Sequence, residues 1–140
     1  MNRKDICSNI LPQPAAAFSR ASKISFKDIE FIFISGTASV NEKRESVHTG
    51  DFKSQVYKTY ENIESLLTEA NATFKDVVSM TIYLKDMKQY EVFNEIRDSF
   101  FKKKNLVFIP ASTCVEAALC RPELLVEISA IALKENIRKS

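Results

Sequence analysis

The sequence predicts an α+β domain, a mixed β-sheet with two helices packed on one face. Three observations predict it. Residues 50–70 and 87–103 carry apolar side chains at spacings of three and four, the period of a helix with one buried stripe. Residues 74–84 and 107–133 alternate in character from one position to the next, the period of a strand. The resulting order is strands, helix, strand, helix, two strands, which suits two helices on one sheet. At 140 residues the chain is one ordinary domain, large enough to bury a core.

Taken in order, residues 1–16 form a loosely ordered lead-in that Pro12 and Pro14 keep out of helix. Residues 18–24 and 29–35 are the opening strands, with a polar turn around Lys27 and Asp28. FIFIS at 31–35 is continuously apolar and aromatic, as expected of a central strand covered on both faces. Gly36 follows and allows close approach of backbone or ligand. A polar loop spans 41–48, and Thr49 caps a helix whose stripe is Phe52, Val56, Tyr60, Ile63, Leu67 and Ala70. Asn71 suits the left-handed residue that ends it. In 74–84, Val78, Met80, Ile82 and Leu84 share one face and Ser79, Thr81 and Tyr83 the other. Asp86 and Gln89 have capping-box spacing ahead of the second helix, whose stripe is Tyr90, Phe93, Ile96, Arg97 and Phe100, widened by Phe101.

Residues 107–133, VFIPASTCVEAALCRPELLVEISAIAL, read as a hairpin with its turn at 120–123. Ser112, Cys114 and Glu116 share one face of its first strand. Leu124, Val126, Ile128, Ala130 and Ala132 make an apolar face of its second, and Glu127 and Ser129 point away from it. A carboxylate in mid-strand between apolar neighbours is costly to bury without a partner or ligand, so Glu127 is the first functional candidate. Two helices cover one face of a sheet. The other, carrying Ser79, Thr81, Tyr83, Ser112, Cys114, Glu127 and Ser129, is expected to meet other subunits and to form part of a cleft.

Hydrophobic residues at 45% and charged residues at 27% place the chain in the globular range. A net charge of +2 gives no ground for a nucleic-acid partner, and Lys102, Lys103 and Lys104 read as a solvated helix end. Three cysteines without a CxxC pair fit neither a disulfide framework nor a structural zinc site and point to the reducing cytoplasm. No stretch reads as a secretory signal or a membrane span, and no cofactor or metal is called for.

SGTASV at 35–40, a GD pair leading a helix with Gln55 and NI at 62–63, DVVSMTIYLKDM at 76–87, FNEI at 93–96, PASTCVEAAL at 110–119 and LLVEISAIAL at 124–133 occur in that order. This series resembles the RidA/YjgF/YER057c/UK114 family over residues 17–134, leaving 135–140 as a tail. The resemblance implies a chorismate-mutase-like fold and a homotrimer whose sheets line a central barrel, with three clefts between subunits. It implies ligand contacts near Phe18, at Gly36 and Thr37 after Ser35, and at Asn94, Ser112, Cys114 and Glu127. The activity it implies is hydrolysis of reactive enamines and imines to keto acids and ammonia. One departure stands out: deaminating members carry an arginine, which pairs with the substrate carboxylate, where this chain has Ser112. A hydroxyl cannot form the bidentate, charge-assisted fork of a guanidinium, so deamination of 2-imino acids is expected to be weak or absent.

AFSRAS at 17–22, SGTASV, HTGD at 48–51 and CRPELLVEI at 120–128 also resemble the corresponding half of chorismatases. There the glutamate matching Glu127 protonates the substrate, and Arg20 and Arg121 match further positions. Glu127 is thus a general acid or water-positioning base with a raised pKa, or a structural glutamate paired with Arg20, Arg121 or a neighbouring subunit. Arg20 is a carboxylate clamp or an ion-pair partner. Cys114 is a buried inert thiol sooner than a nucleophile, since no histidine lies near it, and His48, the only histidine, sits on a polar loop. The expected ligand is a small carboxylated metabolite. Three functions fit: an enzyme of the intersubunit cleft acting on an imine, enamine or enol ether, a non-catalytic metabolite-binding trimer, and, last, an endoribonuclease or translation inhibitor, for which no basic aromatic patch is present.

Overall fold

The computed structural model describes residues 1–136. Six strands form one mixed sheet: β1 (Asn2–Ile6), β2 (Ala21–Phe26), β3 (Ile29–Thr37), β4 (Val77–Leu84), β5 (Ala111–Glu116) and β6 (Val126–Glu135), in the order β1-β2-β3-β6-β4-β5. Helices α1 (Phe52–Glu69) and α2 (Tyr90–Lys103) lie on one face. The expected stripe of α1 is buried throughout, from Phe52 to Ala70, against Ile32 and Ile34 of β3 and Val126, Ile128 and Ala130 of β6. Asp51, two residues beyond the expected Thr49, caps α1: its Oδ1 accepts the Ser54 N–H at 3.0 Å. Asn71 takes the left-handed conformation at φ 58°.

The hairpin expected over 107–133 does not form. β5 pairs parallel with β4, and β6 is flanked on both sides, by β3 and by β4. A parallel pair needs a crossover connection, and α2 supplies it between β4 and β5. The consequence for faces is direct. Met80 stands opposite Ser112 and Ile82 opposite Cys114, and Met80 and Ile82 are buried on the helix side. Ser112 and Cys114 therefore lie on the helix-covered side, contrary to their expected place beside Glu127. Glu127 stands opposite Tyr83, and Ser129 opposite Thr81, on the open face.

Other expectations are corrected by burial. The lead-in is not loose at its start: β1 pairs with β2 at the sheet edge, and Ile6 and Leu11 join the core cluster. The second strand begins at Ala21, not at Phe18. Asp86 caps a short 3-10 turn, Met87–Gln89, through Lys88 N–H without a capping box, and α2 starts only at Tyr90. β3 is covered on one face only: Phe31 and Phe33 stack with ring centroids 6.5 Å apart and, with Ile131 and Leu133 across the ladder, are each at least 36% exposed. The tail expected over 135–140 lies, from residue 137, outside the described residues, and Glu135 closes β6. Among the described residues no helix is long and apolar enough to cross a membrane.

Candidate functional site

A cleft of about 250 Å³ opens where β3 ends and β6 begins. Its walls include Phe18, Arg20, Gly36, Arg44, Arg121 and Glu127. The ladder between β3 and β6 shifts register between Ile34 and Thr37, and the Glu127 side chain folds over the bulge. A Cβ at Gly36 would stand 2.8 Å from Glu127 Oε2, so the carboxyl can occupy this position only because residue 36 lacks a side chain. Among the described residues Glu127 has no ion pair, and burial raises its pKa above the ordinary value. The expected pairing with Arg20 or Arg121 is thus not made within the chain.

Each of the three arginines is placed by backbone carbonyls. Arg20 Nε donates to Pro12 O at 3.0 Å, and its guanidinium lies 5.3 Å from the Phe18 ring centre. Arg44 Nη2 donates to Gln13 O at 3.1 Å, and Arg121 Nη1 to Arg44 O at 2.9 Å and to Ser46 Oγ at 3.0 Å. Burial first, and then repulsion from Arg44 and Arg121, lowers the Arg20 pKa. Buried amides of α1 hold the loops behind them. Gln55 donates to His48 O and Glu123 O and accepts Leu125 N–H, while Asn62 donates to Ala38 O and Val40 O. The arrangement is a half-buried acid in a cleft whose walls also carry three guanidinium groups, none of them paired with it.

A second cleft, about 520 Å³, lies between α2 and β5. Arg97 Nη1 donates to Ser112 Oγ at 2.8 Å and Nη2 to Asn94 Oδ1 at 2.7 Å, and the guanidinium lies 5.1 Å from the Phe93 ring centre. Cys114 packs against the core below, and burial pushes its thiol pKa up, which disfavours the reactive thiolate. Among the described residues no group of histidine, cysteine and carboxylate side chains could hold a metal ion.

Residues 9–134 match the Endoribonuclease L-PSP family. The chain belongs to this family, the RidA/YjgF/L-PSP group. It is 33% identical over 135 residues to a RutC family protein of Pyrococcus abyssi, covering 96% of this chain and 100% of that protein. It is 30% identical over 121 residues to the 3-aminoacrylate deaminase RutC of Acinetobacter baylyi, covering 86% and 90%. The crystal structure of the yjgF gene product of E. coli matches with a TM-score of 0.80 at 25% identity, covering 94% of this chain and 99% of that one.

For this L-PSP-family chain the expected site residues separate into two groups. Phe18, Arg20, Gly36, Arg121 and Glu127 share the first cleft, and Asn94 and Ser112 share the second. Ser35 and Thr37 line neither: Ser35 Oγ donates to Ser19 O, and Thr37, fully buried, donates to Ser35 O. Sequence reasoning missed Arg44 and Arg97. Arg44 carried no signal, being one charge in a polar loop. Arg97 did carry one, a cation within an apolar helical stripe, the same anomaly that singled out Glu127.

Proposed function

We propose that this chain is a cytoplasmic, small-metabolite-binding homotrimer in which the Glu127 cleft of one protomer faces the Ser112 cleft of the next. The observation that carries the reading is Glu127 itself, a half-buried carboxyl with a raised pKa and no ion pair among the described residues, beside three guanidinium groups. A raised pKa favours the protonated form, which can deliver a proton, and the arginines favour a carboxylated ligand. The apolar half of the open face, with Phe31, Phe33, Ile131 and Leu133, supports a second copy of the chain as its cover.

The activity named for the Acinetobacter relative, 3-aminoacrylate deamination, supplies the substrate class: a short enamine or imine bearing a carboxylate. Protonated Glu127 gives its proton to the enamine carbon, leaving an iminium. The Glu127 carboxylate then takes a proton from water as the water oxygen bonds to the iminium carbon. Glu127 gives that proton to the nitrogen of the resulting carbinolamine and takes one from its hydroxyl as the C–N bond breaks, which releases ammonia and leaves a carbonyl, so one water is consumed per ammonia released. An enol ether follows the same course with an alcohol as leaving group. Ser112 stands where the resemblance implies an arginine in deaminating members, so turnover of 2-imino acids is slow.

Ammonia and keto acid release from freshly generated 2-aminoacrylate and 2-iminobutyrate tests the proposal. Glu127→Gln lowers whatever turnover the wild type shows by about 10²–10⁴-fold while ligand binding persists. Unchanged turnover in that variant would sink the acid role. Ser112 favours a second reading, a binder that has lost catalysis, for which neither form turns over any substrate although both bind ligand.

A further inference from the structure

The Ser112 cleft contains a cation without a counter-ion among the described residues. Arg97 makes no ion pair among the described residues, whereas two other cations do, one on α2 and one at its C-cap: Lys102 pairs with Asp98 at 2.9 Å, and Lys104 pairs with Glu64. The charged side chains lining the cleft are Arg97, Asp98 and Lys102, so after the Lys102–Asp98 pair one positive charge remains. A guanidinium has five N–H donors, and Ser112 and Asn94 use two of them, leaving three. Both acceptors are neutral. They nonetheless fix the plane of the fork, with Phe93 beneath it, so that little conformational entropy is lost when an anion docks.

The remaining walls indicate what the anion carries. Met80, Phe101, Leu106 and Ile109 make one side of the cleft apolar, and Ser112 adds a hydroxyl beside the guanidinium. We propose that Arg97 is the anion-binding residue of this cleft, taking the carboxylate of a small monocarboxylate between its guanidinium and the Ser112 hydroxyl, with the ligand's short apolar tail against Phe101 and Leu106. The inference deepens the proposed function and rests on it for the carboxylated character of the ligand. It also explains how the cleft works with serine at position 112: the guanidinium comes from the helix, three residues after Asn94, instead of from the strand.

Titration calorimetry of the full chain with 2-oxobutanoate, and with its uncharged amide 2-oxobutanamide, tests this. The keto acid binds the wild type, and the amide binds at least about tenfold more weakly. Arg97→Gln weakens keto acid binding by about 10- to 100-fold, the loss expected of charge-assisted hydrogen bonds. Ser112→Ala, which removes the helix-to-strand bond but keeps the charge, weakens it by less than about fivefold. The double variant Arg97→Gln with Ser112→Arg, which moves the guanidinium to the strand, regains most of the affinity. In wild-type NMR spectra the keto acid shifts the Arg97 Nε–H signal, a readout that stands if Arg97→Gln fails to fold.

Binding in Arg97→Gln within about twofold of wild type, equal binding of acid and amide, or an unmoved Arg97 signal overturns the inference. Loss of binding in Arg20→Gln with none in Arg97→Gln also overturns it, while leaving the proposed function in place. Loss in Arg97→Gln, combined with turnover that ignores Glu127→Gln, has the opposite meaning: the anion site stands and the acid role falls.

Discussion

The Glu127 cleft and the Ser112 cleft are made of different material. The first is walled largely by loop segments, whose carbonyls position three guanidinium groups and whose own placement depends on Gln55 and Asn62 in α1. The second is built on a helix and a strand, and its one guanidinium, unpaired among the described residues, is oriented by side chains. On the proposed function, proton transfer belongs to the loop-built half and orientation of the ligand to the half built on regular structure. They share no lining residue, and the sheet separates their key side chains: Glu127 leaves its strand on the open face and Ser112 on the helix face. A function that needs both halves at one ligand needs more than one copy of the chain.

That dependence can be broken outright. Phe33→Asp puts a carboxylate in the middle of the apolar open face, where a covering subunit would have to bury it at a cost of several kcal/mol. The expected outcome is a monomer in sedimentation velocity, with an unchanged circular dichroism spectrum because residue 33 faces away from the helices. Turnover should disappear, since each monomer keeps only half-sites, and ligand binding should weaken to what the Ser112 cleft supplies alone. A monomeric variant with wild-type activity would mean that one cleft suffices.

The next effect separates the halves. Asn62 is fully buried and donates to Ala38 O at 2.9 Å and to Val40 O at 3.0 Å, so Asn62→Ala removes two hydrogen bonds, leaving Ala38 O with the Val40 N–H alone, and should cost about 1–3 kcal/mol in urea unfolding. Ala38 and Val40 line the Glu127 cleft and not the other one. The variant should therefore perturb NMR signals of Arg20 and Gly36 while leaving that of Arg97 in place. Gly36→Ala acts more gently. The new methyl meets the flexible end of Glu127, so stability should change by less than about 1 kcal/mol while the carboxyl is pushed off the bulge and its titration moves. An unshifted Glu127 titration in Gly36→Ala would mean that the close approach does not set the environment of the acid.

What the sequence disclosed, and what it hid, follows from whether a signal is local. The stripe of α1, the apolar face of β6 and the anomaly of Glu127 are properties of single segments, and periodicity reads them directly. Strand pairing is not such a property. A turn at 120–123 between two alternating runs looks like a hairpin whether or not β4 lies between them, and only the α2 crossover puts it there. That one non-local pairing reversed the facing of Ser112 and Cys114 and hid their neighbour Arg97. The N-terminal strand was hidden for a related reason, because β1 is polar apart from Ile6 and is held by the edge of β2.

The smallest effect concerns the acid alone. Burial raises the native-state pKa of Glu127 above its ordinary 4.5, so between that value and the raised one the folded chain binds more protons than the unfolded chain. Stability contributed by this group is therefore complete below the ordinary value and is lost as pH rises through the native pKa, above which a half-buried carboxylate is left ionised. Glu127→Gln removes that liability. Its Tm should exceed the wild type by about 2 °C at a pH above the native pKa, and the difference should vanish below the ordinary carboxylate value. A Tm difference independent of pH would mean that burial does not burden the carboxyl. The same comparison made in the Phe33→Asp background ties the acid to assembly: if a neighbouring subunit closes over the Glu127 cleft, the carboxyl is better hydrated in the monomer, and the gain from glutamine becomes smaller.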